Sequence, residues 1–316
     1  MRLLFITSTR IGDAVLSSGL LGHFIDKSQG VRITVACGVD AAPLFKNLPG
    51  CEKVIPLRKS MAGSHWLLLW SKCALTPWDI VVDLRASAIS WLLPTKKRLI
   101  LKRHKNMTHR VVEIGALTGL KVPPEPRLWI SPKDYAVSRE FVPKDEFIVI
   151  APTANWKGKQ WRGDRFAQLA RRITDIKGIC PRFTIVVLGA SSEKSAANEM
   201  LRSVADIPVI DLVGRTELMV SAAVISRSKF FVGNDSALMH IAAASGVPTL
   251  GLFGPSREEN YAPWGPHCAF QRTKASYEEL IYQPMYDHRQ TDSLMDSLTV
   301  DMAEQAACDL WDRIKL

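Results

Sequence analysis

The chain has 316 residues, of which 47% are hydrophobic and 23% charged, and a formal net charge of +10. That length exceeds one comfortable core, so two domains are expected, and the composition excludes a disordered chain. No run of about 20 apolar residues avoids charge, which excludes an apolar membrane-spanning helix, and the six cysteines form no CxxC pair, which points to reduced thiols in a cytosolic compartment and against a structural zinc site.

The opening run MRLLFITSTRIGDAVL is interrupted by Arg10 and Asp13 and has no small-residue cleavage pattern, so it reads as a strand and a helix, not a signal peptide. The first half predicts a strand at 3–8, a helix over 13–26, and strands at 31–37, 53–57 and 79–84. Near-continuous Val/Ile/Leu runs of this kind fit parallel strands buried on both faces. A Pro-rich segment, 121–134, reads as extended linker. The second half restarts the pattern, with strands at 147–152, 183–189, 208–213, 229–233 and 248–254. Helices are predicted at 164–177, 192–204, 216–227 and 236–245, and an amphipathic helix closes the chain at 300–314. Alternating strands and helices predict an α/β fold built from two Rossmann-like, doubly wound parallel sheets. We divide the chain into an N-terminal domain 1–125, a linker 126–146, a second domain 147–299, and a terminal helix 300–316 that packs back towards the first. Two such sheets would leave a cleft between their carboxyl ends, where open α/β sheets hold ligands.

Charge is unevenly placed. Residues 1–140 hold 21 Lys+Arg against 10 Asp+Glu, while 141–316 hold 20 against 21. The basic excess therefore belongs to the first half, which would attract nucleic acid, anionic lipid or a phosphorylated substrate. Within it, Lys96–Lys105 brackets a short apolar run with cations. Trp66, Trp70, Trp78 and Trp91 lie in the same half, either in the core or at a headgroup boundary.

Three loops after strands carry candidate chemistry. Segment 231–256, FVGNDSALMHIAAASGVPTLGLFGPS, ends a strand at Gly233 and places Asn234-Asp235-Ser236 at a helix start. Free N–H groups and the positive dipole end there can receive a phosphate. Ser236 and Ala237 are small enough for close approach, and His240 shares their helix face; a capped core helix with a buried His is the plainer alternative. After the first strand, Gly12 permits a tight turn and Asp13 either caps the following helix or acts as a general base. In APTANWKGKQW (151–161), Lys157 and Lys159 are solvated or point a cation at a leaving diphosphate. The chain has no Asp-x-Asp pair, so lysine plus a helix N-terminus would replace a metal. It also lacks GxGxxG after strand 1, GxxxxGK[ST] and GxSxG, which leaves dehydrogenase, P-loop and α/β-hydrolase chemistry unsupported.

Gly12-Asp13, Lys159-Gln160-Trp161, Asn234-Asp235-Ser236-Ala237-x-x-His240 and Phe253-Gly254-Pro255-Ser256 together resemble the ADP-heptose–lipopolysaccharide heptosyltransferases, glycosyltransferase family 9. The resemblance spans nearly the whole chain in order and spacing. It implies a GT-B fold and a metal-independent, inverting transfer with no cofactor, the nucleotide sugar being a substrate. It also implies an anionic lipopolysaccharide inner-core acceptor on the first domain, at the inner face of the cytoplasmic membrane, with no nucleic acid. By position, Asp13 and Lys159 become the catalytic pair. Thr153, Lys159, Asp235, Ser236, Ala237, His240, Gly254 and Pro255 become the donor site, and Arg10, Gly12, Arg58 and Arg85 the acceptor site. Ala237 stands where the family often has Gly, and Arg10 where some members have Ser. Alternative readings are a nucleotide-sugar binder without turnover and a transferase using another sugar; an epimerase lacks a supporting acid/base pair.

Overall fold

The computed structural model describes residues 1–58, 63–102, 107–283, 286–287 and 291–315. The chain divides into two units, Met1–Ser131 and Pro132–Leu316.

In the first unit the elements are β1 (Arg2–Ile6), α1 (Ile11–Lys27), β2 (Arg32–Gly38), β3 (Cys51–Leu57), α2 (Ser64–Cys73), β4 (Trp78–Asp83), β5 (Thr95–Ile100) and α3 (Arg110–Ala116). The strands pair in parallel in the order β3-β2-β1-β4-β5. Leu3, Leu4, Phe5 and Ile6 are all fully buried, as a central strand covered on both faces requires. On one face, α2 and a 3-10 turn at Ala88–Trp91 close over Leu4, Ile6, Ile55, Leu69, Trp78 and Val81. The order reverses between β1 and β4, and that reversal opens a crevice beyond their carboxyl ends.

β5 resolves the basic stretch into two ends. It runs parallel to β4, so Lys96 lies at the amino end of the sheet and pairs with Asp79 at 2.7 Å. Lys102 follows the carboxyl end, beyond Leu101, whose N–H donates to the Asp83 carbonyl. The clusters thus cannot grip one ligand together. Arg103, His104 and Lys105 lie outside the described residues. The tryptophans also divide: Trp78 is buried, whereas Trp70 and Trp91 are exposed.

The second unit contains α4 (Pro132–Phe141), β6 (Phe147–Ala151), α5 (Gly163–Thr174), β7 (Thr184–Val187), α6 (Lys194–Ser203), β8 (Val209–Asp211), α7 (Leu218–Arg227), β9 (Phe230–Asn234), α8 (Ala237–Ala244), β10 (Thr249–Phe253), α9 (Glu258–Tyr261), β11 (Cys268–Arg272), α10 (Tyr277–Ile281) and α11 (Val300–Lys315). Its six strands are parallel, in the order β11-β10-β9-β6-β7-β8, and reverse between β6 and β9. The core is anchored by Trp161, whose ring meets Phe166 edge-on at 5.0 Å and whose Nε1 donates to the Leu298 carbonyl at 2.9 Å.

Two boundaries differ from the sequence reading. Residues 123–127 lie along α1, where Gly19 has no room for a Cβ against the Pro124 carbonyl and Arg127 N–H donates to Ser18 Oγ. The second half of the expected linker is instead α4. Proline fits a first helical turn because its missing N–H would be unpaired there, and Arg227 of α7 ties the helix down, donating to Val142 O at 2.7 Å and Asp145. That hydrogen bond holds the Asp145 carboxyl below the ordinary carboxylate range. The terminal helix, expected to turn back towards the first domain, spends its apolar side on its own unit. Val300, Ala303, Ala307 and Leu310 are buried in the same core as Phe166 and Phe230.

Candidate active site

The reversal between β6 and β9 brings together the two loops that the sequence marks in the second unit. Asn234, fully buried at the end of β9, is the joint. Its Oδ1 accepts from Trp161 N–H at 3.0 Å and its Nδ2 donates to Pro152 O at 2.8 Å, so one side chain fixes both ends of the 152–161 loop. Gln160 Nε2 adds a bond to Ala154 O at 2.6 Å. The loop thereby aims Lys159 at Asp235, and the two form an ion pair in which the carboxylate is 8% exposed and the ammonium 23%. His240 Nε2 stands 3.9 Å from the other Asp235 oxygen.

Of the two roles open to Asp235, capping α8 or meeting sugar hydroxyls, the structure does not use the first. Ser236 is the N-cap residue, with extended backbone and no side-chain cap, and Asp235 is paired with Lys159. The first N–H groups of α8 are consequently not satisfied by either side chain, and they carry the positive end of the helix dipole. Ser236 Oγ, and Ser256 Oγ just past β10, are buried without a hydrogen-bond partner among the described residues. A buried hydroxyl in that condition is costly unless a ligand serves it. His240, one turn into α8 from Ser236, is buried, as is Asp235. Gly246, in the left-handed region at φ +73°, ends the turn that follows α8.

Other residues expected at the donor site are used differently. Thr153 is buried in the loop, but its hydroxyl donates to Glu193 at 2.8 Å. Gly254 makes room for the Met295 sulfur, which stands where a Cβ would be, so its glycine character serves packing. Pro255 is buried beside it. Lys157 pairs with Asp292 at 2.9 Å. Glu193 escaped the sequence reading. It accepts from both Thr153 and Ala190 N–H, and no local pattern in the sequence marked it, since Ala190 has no capping oxygen.

In the first unit the candidates sit along the carboxyl edge of the sheet. Arg10, Gly12 and Asp13 follow β1, Arg58 follows β3, and Arg85 follows β4. Two local roles change. Arg10 is the N-cap residue of α1, and Asp13 lies in the first turn, where its carboxylate accepts from Ser8 Oγ at 3.1 Å. Gly12 is helical and makes no tight turn, so it contributes a slim first helical turn instead. Asp83, missed in the sequence, is fully buried. It accepts from Arg85 N–H, Ser87 N–H and Ser87 Oγ, at 2.8, 2.8 and 2.5 Å. These bonds hold the 84–87 loop, in which Ala86 adopts φ +51°. The Arg85 guanidinium lies 4.6 Å above the Trp66 ring. The signal in the sequence was Asp83 closing an apolar run, followed by Leu-Arg-Ala-Ser. Among the described residues no group of three His, Cys, Asp or Glu is placed to hold a metal, and no helix is long and apolar enough to cross a membrane.

Two doubly wound parallel sheets, each reversing its strand order beside its first strand, are the two halves of a GT-B fold. The glycosyltransferase family 9 (heptosyltransferase) pattern matches residues 84–282. The chain belongs to that family. It is 25% identical to lipopolysaccharide heptosyltransferase 2 of Salmonella typhimurium, covering 89% of this chain and 90% of that one. Its fold is shared with a glycosyl transferase family 9 structure from Veillonella parvula, at TM-score 0.78 and 20% identity over 98% and 97% of the two chains. It is also shared with E. coli ADP-heptose lps heptosyltransferase II, at TM-score 0.74 and 20% identity over the full length of both.

Proposed function

We propose that this enzyme moves a heptose from ADP-heptose to the lipopolysaccharide inner core, with inversion and without a metal ion or other cofactor. The observation that carries this reading is the Lys159–Asp235 pair beside the N-terminus of α8, at the strand-order reversal of the second sheet. A diphosphate entering there meets an ammonium group, the N-terminal backbone N–H groups of α8 and two serine hydroxyls. These groups stabilise negative charge where it develops on the leaving group. Asp235 keeps Lys159 in place and, being anionic, serves sugar hydroxyls better than phosphate.

In the transfer, an acceptor hydroxyl attacks the anomeric carbon from the face opposite the diphosphate. The new carbon–oxygen bond forms as the bond to the phosphate oxygen breaks, and that electron pair leaves with ADP. The carbon passes through an oxocarbenium-like state, as in other glycosyl chemistry. The hydroxyl proton goes to the Asp13 carboxylate, which Ser8 orients. Arg10, Arg58 and Arg85 on the same sheet edge hold the carboxylates and phosphates of the acceptor. The acceptor is a lipid, so the proposal includes peripheral contact with an anionic membrane on the cytoplasmic side, and no nucleic acid.

The test is transfer to a lipopolysaccharide core acceptor read by mass spectrometry, with ADP-heptose against UDP- and GDP-sugars, in excess chelator. Product from ADP-heptose alone, with its anomeric configuration inverted, is expected. Donor binding without product would identify a binding protein. Activity lost on chelation and restored by Mg²⁺ would remove the metal-free part of the proposal.

A further inference from the structure

We infer that α2 and the Ala88–Trp91 turn form a docking surface for an anionic lipid bilayer; this deepens the proposed function, on which it rests for the lipid acceptor. A surface helix ordinarily turns polar residues outward, but α2 reads SHWLLLWSKC. His65, Leu69 and Cys73 fill its inward stripe, and Leu67, Leu68 and Trp70 remain for the outside. Leu67 is 66% exposed and Leu75, just past the helix, 97%. The neighbouring turn adds Trp91 and Leu92, at 68% and 64%. Both flank a turn that Arg98 makes rigid, donating to Ser90 O at 2.8 Å and Leu93 O at 2.7 Å with its guanidinium against the Trp91 ring. Apolar side chains held outward on a fixed frame mark an interaction site.

Charge selects the occupant. The stretch 53–102 contains two carboxylates, and both are engaged: Asp79 pairs with Lys96, and Asp83 is buried under the Arg85 loop. Exposed Lys53 and Lys72 lie near Cys73 at the end of α2, and the Arg85 guanidinium stands over the Trp66 ring of the same helix. A second copy of this chain would bring the same cations face to face and be repelled. An anionic bilayer supplies both complements, headgroups for the cations and a hydrocarbon boundary for leucine and indole.

The experiment uses the full chain with vesicles of phosphatidylcholine, with or without phosphatidylglycerol. The wild type should sediment with the anionic vesicles and detach as salt rises. The combined variant Leu67→Gln/Leu68→Gln/Trp91→Ser/Leu92→Gln should bind roughly tenfold more weakly or worse, with its thermal transition and ADP-heptose hydrolysis kept. Brominated lipid should quench wild-type tryptophan emission, and Trp91→Phe should remove much of that quenching, a readout independent of the combined variant's folding. Equal vesicle binding by the combined variant, absence of quenching, or a wild-type dimer that the combined variant abolishes would overturn the inference. Intact vesicle binding in an enzyme that transfers no heptose would support the docking surface while sinking the function.

Discussion

The two units are wound alike but handle charge in opposite ways. Both sheets reverse their strand order beside their first strand, and the second only adds β11 at one edge. At the first sheet's carboxyl edge, Arg10, Arg58 and Lys102 stand exposed. At the second, the central cation is already matched by a buried carboxylate. The fold therefore sets where a ligand goes, and the side chains set which ligand it is. An open cationic edge suits a large, multiply charged acceptor approached from solvent. A half-buried cation with an adjacent helix N-terminus suits a compact diphosphate whose charge grows during reaction.

That contrast breaks first at Asp13, the sole carboxylate among the proposed groups of the first unit's edge. Asp13→Asn keeps the size of the side chain and a hydrogen bond with Ser8 but cannot take a proton. Turnover should fall by roughly a hundredfold or more, the range for acid–base groups, with donor affinity nearly unchanged in calorimetry. Undiminished turnover would remove Asp13 from the mechanism.

The second unit can be probed by separating charge balance from chemistry. Lys159→Met leaves Asp235 buried without its partner, so stability should fall by about 2 kcal/mol or more, alongside a loss of roughly a hundredfold in kcat. Adding Asp235→Asn removes the stranded charge. The double variant should regain its melting temperature and remain inactive. Recovery of both together would make the pair a purely structural bridge.

Much of this was legible in the sequence because the signals were local. Unbroken apolar runs located the strands 2–6 and 147–151, and Asn234-Asp235-Ser236 announced the junction of strand and helix. What escaped depends on partners far along the chain. Nothing near Asp235 says that Lys159, 76 positions away, will claim it from the helix cap. Nor does Thr153 reveal that Glu193 takes its hydroxyl. β11 went unread because CAFQR has a short, weakly alternating pattern and lies on the sheet's edge, where burial is partial. The terminal helix shows the limit of amphipathicity, which identifies a face to be buried but not the surface that buries it.

The basic stretch offers the smallest effect and the sharpest contrast within one unit. Lys96, on β5, and Lys102, just past it, are six residues apart and carry the same charge, so composition does not distinguish them. Position does. Lys96 is at the amino end, where it and the Arg2 N–H hold the Asp79 carboxyl below its ordinary range. Lys102 stands past the carboxyl end, on the edge shared with Arg10, Arg58 and Arg85. One cation near an anionic lipid surface changes binding by about fivefold at most. Lys102→Gln should therefore raise the apparent KM for the lipid acceptor by about twofold to fivefold. Lys96→Gln should leave it unchanged, and donor KM should move in neither. The Lys102 effect should also shrink with salt, since the Debye length falls to about 3 Å at 1 M. Equal effects from the two lysines would mean that the first unit attracts its acceptor by net charge alone, and that the sheet edge has no special part in binding it.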